Sequence, residues 1–101
     1  MAETKIRDER HKISRKRGNG QLRREVWVDE SGAVARYNLA YVNHSIFPGD
    51  NGLVIGFDNQ HGYHHRHLLG IVEGVEFRSF EDQEARFDEE WSLFVRQREP
   101  K

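Results

Sequence analysis

The clearest pattern along the chain is an alternation of apolar and polar positions that changes to a helical spacing near the end. From Gln21 to Asp29, Leu22, Arg24, Val26 and Val28 alternate with Arg23, Glu25 and Trp27, a period-two pattern that predicts a strand. Glu30-Ser31-Gly32 reads as a turn. Ala33 to Val42, with Val34, Tyr37, Leu39, Tyr41 and Val42, then completes a hairpin. Asn43 to Gly52 is rich in turn formers and reads as a loop. Leu53 to Phe57 is almost wholly apolar and short, the signature of a strand buried on both faces. After a turn at Asn59 to Gly62 the chain returns as a strand, Tyr63 to Leu69. A last strand with Gly74 inside it follows from Ile71 to Arg78.

Beyond Ser79 the spacing changes. Phe80, Phe87, Trp91, Phe94 and Val95 recur on one helical stripe, and Ser79-Phe80-Glu81-Asp82 resembles a capping box. The acids of the first turn sit where the helix dipole favours them. Such a stripe covers a sheet, with Val26, Leu39, Val54 and Phe57 as its expected partners. The fold expected is α+β: an antiparallel sheet of four to five strands covered by one long C-terminal α-helix. Residues 21–98 form that single domain. Residues 1–20, nearly all polar, are a basic N-terminal arm or a first edge strand anchored by Ile13 and closed by Gly18-Asn19-Gly20.

Composition narrows the picture. At 101 residues, 36% of them hydrophobic, the core is modest, and a partner chain or a second copy (a homodimer) would help complete it. Eleven aromatic residues argue against disorder. There is no cysteine, which excludes disulfides and thiolate ligands and fits a cytoplasmic location. No apolar run nears the ~18 residues of a membrane span. The net charge of -1 hides a basic head and an acidic tail: residues 1–24 carry nine Lys or Arg against three acids, residues 79–101 seven acids against four bases. The head has the footprint of a nucleic-acid contact or a solvated surface.

Four of six histidines fall between His61 and His67. On an extended strand Tyr63, His65, His67 and Leu69 share one face, and His64, Arg66 and Leu68 the other. Asp58 closes the preceding strand. Imidazoles at this density suit proton transfer, metal ligation or phosphate contact. In the first scheme His65 and His67 act as acid and base on a phosphodiester, Asp58 orients one imidazole and Arg66 stabilises charge on phosphorus, although alternation sets Arg66 on the wrong face. In the second, His-x-His and a carboxylate hold zinc or another transition ion. In the third, the histidines bond backbone carbonyls or acids and do nothing else.

The run Gly56-Phe57-Asp58-Asn59-Gln60-His61-Gly62-Tyr63-His64-His65-Arg66-His67 resembles the Y-D-N-x-x-G … H-x-H core of the TumE-like toxin proteins of bacterial toxin–antitoxin systems. The strand Tyr37 to Val42 and the segment Phe77 to Asp82 are also similar to that family, and the likeness covers residues 21–95. Asp58, Asn59, Gly62, His65, Arg66 and His67 match its core. Phe57 replaces the usual tyrosine, and His61 and His64 are additions. The resemblance implies a small toxin that attacks RNA or translation, neutralised by an antitoxin with a helix-turn-helix domain. The expected function is therefore a metal-independent ribonuclease without cofactor. His65, His67, Arg66 and Asp58 are the catalytic group. Asn59, His61, Tyr63 and His64 surround it, and Lys12, Arg15, Lys16 and Arg17 are available to RNA backbone. The alternative is a non-catalytic module that grips nucleic acid or a protein.

Overall fold

The structure, a computed structural model, describes residues 2–98. Six strands form one antiparallel meander in sequence order: β1 (Thr4–Lys12), β2 (Gln21–Val28), β3 (Val34–Val42), β4 (Leu53–Asp58), β5 (His65–Leu68) and β6 (Ile71–Gly74). A single helix, α1 (Phe80–Arg98), packs on one face. The α+β architecture matches expectation, but the strands number six rather than four to five. The extra one is β1, which pairs with β2 as an edge strand, the second of the two options for the basic head.

Why β1 pairs is visible in its charges. Facing α1, Arg7 grips Glu84 through both guanidinium nitrogens (3.1 and 2.8 Å), and Arg24 of β2 reaches Glu84 and Asp88 (3.1 and 2.6 Å). Facing away from α1, Lys5 bonds Glu25 at 2.7 Å. Part of the basic head is therefore bound to the acidic helix of the same chain. Partly exposed pairs of this kind contribute about 0–1 kcal/mol each, so their main effect is on alignment.

The core lies between sheet and helix. Leu22, Val26, Tyr37, Leu39, Tyr41, Ile55 and Phe57 meet Phe80, Phe87 and Val95, with Ile13 closing one end and Val54 also buried. Ser79 Oγ accepts the Asp82 amide at 3.0 Å, capping α1 as anticipated. The last strand ends at Gly74 rather than Arg78. Beyond one more bond, from the Val75 amide to the His64 carbonyl, the chain turns inward so that Phe77 stacks on His64 with ring centroids 3.8 Å apart. Leu69 and Gly70, both at positive φ (47° and 85°), make the tight two-residue turn between β5 and β6.

Candidate active site

α1 packs against β3 and β4 on one face of the sheet, and the register places the histidines on the other. Asp58 pairs with Asn38 on one side and His65 on the other, and Gly56 pairs with His67. His67 is thus diagonal to Asp58, within reach for a long side chain. Its direct partner Gly56 has no side chain to compete for that space. The outcome is a carboxylate bridging two imidazoles. Asp58 Oδ1 lies 2.7 Å from His65 Nε2, and Oδ2 lies 3.0 Å from His67 Nε2. Oδ1 also accepts the Gln60 amide at 3.1 Å, which holds the carboxylate as the chain turns.

Asp58 and His65 are buried (8% and 5% exposed) and His67 is partly so. His65 Nδ1 lies 3.2 Å from the Tyr63 carbonyl, and the half-exposed Tyr63 ring sits 4.8 Å from the His65 ring. His67 Nδ1 is buried without a hydrogen-bond partner. Both Nε2 atoms point at the shared carboxylate and not outward. An imidazole held by Asp58 through Nε2 keeps Nδ1 for proton exchange; in His65 that atom faces the Tyr63 carbonyl, and in His67 it is unpartnered but buried.

Other members of the expected group fall elsewhere. Arg66 lies on the face toward α1, its Nε bonding Glu90 at 2.8 Å and its Nη1 bonding Glu73 at 3.0 Å. The β4–β5 register carries no bulge that would return it to the histidines, so Arg66 ties helix to sheet and does not meet a phosphate at this centre. Asn59 is a pin: it accepts the Tyr37 amide at 3.1 Å and donates to the Ala35 carbonyl at 3.0 Å, fixing the end of β4 to β3. The backbone of His61 lies in the short helical turn Gln60–Gly62; its side chain is outside the described structure.

His64 faces the core. Its Nδ1 lies 2.8 Å from the Tyr37 hydroxyl, which also accepts from Gln83 Nε2 at 3.1 Å. Burial holds its pKa below the usual value, helped by the neighbouring His65. The Tyr37 phenol, fully buried, is pushed up by burial, only partly offset by the Gln83 hydrogen bond. A raised phenol keeps its proton longer in the folded than in the unfolded chain, so stability falls as pH rises past about 10, where the unfolded phenol ionises. Denaturant unfolding from pH 8 to 11 should therefore show the advantage of wild type over Tyr37→Phe shrinking above pH ~10. An advantage independent of pH would contradict this.

Lys12, Arg15, Lys16 and Arg17 are exposed at the turn between β1 and β2. Lys12 and Arg17 rim a cleft of about 460 Å³ floored by Ile13, Trp91 and Val95, with Arg96 opposite. Arg96 and the half-buried Trp91 as walls of this cleft were not anticipated, because strand and helix residues distant in sequence form it. Arg10 and Arg23 lie in the same cross-strand row as His67, on the open face. No helix among the described residues is long and apolar enough to cross a membrane. No known family model matches the chain, and no curated protein or solved structure does. The likeness to the TumE-like toxins therefore stands on the residues quoted for it.

Proposed function

We propose that the chain is the toxin of a bacterial toxin–antitoxin pair, acting in the cytoplasm as a ribonuclease at Asp58, His65 and His67. The observation that carries this reading is the carboxylate held between two imidazoles on the open sheet face. Three groups able to exchange protons meet there, and Arg10 extends from the same cross-strand row as a phosphate contact, while Arg23 of that row is paired with Glu25 at 3.1 Å. His67, the more exposed imidazole, is the base, through its unpartnered Nδ1 once that atom is uncovered, and Asp58 orients both rings. An antitoxin with a helix-turn-helix domain is the partner that the family resemblance suggests.

Induced expression in a bacterial host tests the reading, followed by cleavage of purified RNA with and without chelator. Wild type should arrest growth, while soluble, folded His65→Ala/His67→Ala should not, with RNA cleavage slowed by at least about 100-fold. Arrest by both proteins alike would sink the active-site assignment and favour a non-catalytic module that uses the basic cleft. Arrest by neither would remove the toxin reading.

A further inference from the structure

We propose that Asp58, His65 and His67 bind one divalent transition-metal ion of the zinc class. Their ligand atoms already converge, all within 4.8 Å of one another. Two ligands of a tetrahedral zinc ion, each about 2.0–2.1 Å from the metal, stand ~3.3 Å apart. To admit such an ion the 2.7 and 3.0 Å contacts of Asp58 open by roughly 0.3–0.6 Å, and the widest separation among the three ligand atoms, within 4.8 Å, closes toward ~3.3 Å. Two imidazoles and one carboxylate suit the ion chemically and leave a fourth position for water or a substrate oxygen.

The surroundings of His65 point the same way. Its two nitrogens face two acceptors, the Tyr63 carbonyl at 3.2 Å and Asp58 at 2.7 Å. A neutral imidazole has one N–H and satisfies only one of them. A second proton or a cation must fill the other gap. With an ion on Nε2, the Nδ1–H donates to Tyr63 O, the backbone partner that metal-ligating histidines commonly have, and the tautomer is set. Asp58 then places its charge on the ion rather than sharing it between two rings. The register supplies the rigidity, because all three ligands lie on paired strands of one sheet.

The inference competes with the base role given to His67 above, because a ring that ligates an ion is not a free base, and binding is read without RNA so that the two are told apart. The full chain, stripped with chelator, is titrated with cobalt(II) by visible absorption and with zinc by calorimetry. One ion per chain is expected, with the intense bands of a low-symmetry cobalt site. His67→Gln should weaken affinity more than roughly tenfold, since even the outer partners of metal ligands are worth that much; His11→Ala, on exposed β1, should not. Long-range nitrogen NMR of wild type gives the answer without a variant: zinc should shift Nε2 of His65 and His67. Absence of binding, binding that His67→Gln leaves intact, or shifts confined to other histidines would overturn the proposal. A chain that binds the ion and never cuts RNA keeps this site and loses the ribonuclease reading.

Discussion

Phe87→Ala should destabilise the protein by about 3–5 kcal/mol, the range for emptying a large aromatic site in a core. Phe87 is fully buried near the middle of α1 and belongs to the one hydrophobic cluster that joins helix to sheet. Among the described residues no second α-helix lies beside α1 to slide into the space, so the cavity would persist. The Arg24 guanidinium also lies over the ring, 5.7 Å from its centre, and would lose that support while remaining tied to Glu84 and Asp88. Against a total of about 5–15 kcal/mol for a domain, this loss is large, and at roughly 4–8 °C per kcal/mol it should lower the melting temperature by more than about 12 °C. Urea unfolding followed by tryptophan fluorescence measures it. A loss below about 1 kcal/mol would mean that the helix does not rest on this ring.

The second large effect belongs to Gly20→Ala, expected to cost about 2–4 kcal/mol from left-handed strain and a forced shift of the core. Gly20 has a φ of 102°, and an added Cβ would lie 2.6 Å from Tyr41 Cε1 and 2.8 Å from the Val42 carbonyl. Tyr41 has nowhere to go. Its ring is fully buried, its hydroxyl donates to the Asn19 carbonyl at 2.9 Å and accepts from Asn43 at 3.0 Å. Gly32→Ala is the comparison. Its φ of 87° carries similar backbone strain, yet nothing lies within 4 Å of the added atom, so only about 1–2 kcal/mol is expected. Thermal unfolding of the two variants side by side separates strain from collision. Equal losses would remove Tyr41 from the explanation.

Both effects come from parts of the chain whose roles the amino-acid pattern reveals unevenly. The helical stripe from Phe80 to Val95 and the alternating strands from Leu22 to Tyr41 are written in apolar side chains, and their partners follow from volume and period. β1 is not. Its helix-facing residues Arg7 and Glu9 are charged, and its claim to a place in the sheet rests on acids some seventy residues later, which no local pattern contains. The same division runs through the candidate site. Alternation alone puts His65 beside His67 and Arg66 on the other side. It does not show that Asp58 falls opposite His65 and diagonal to His67, because that depends on how many residues the Gln60–Gly62 turn absorbs. It puts His64 on the side opposite His65 and His67, but it does not show the stack of that ring against Phe77, thirteen residues away.

The meander has a consequence for the order of events during folding. Each strand pairs with the next one in the chain across connections of two to ten residues, so every hairpin closes a small loop at modest entropic cost. Low contact order of this sort places the sheet toward the fast end for β-rich proteins. Only α1 must reach back across the chain, as in the contact of Arg7 with Glu84. On a translating ribosome the strands emerge first, and their helix-facing side stays bare until the last segment arrives. The histidine centre, built from β4 and β5 on the opposite side, contains no residue of that segment.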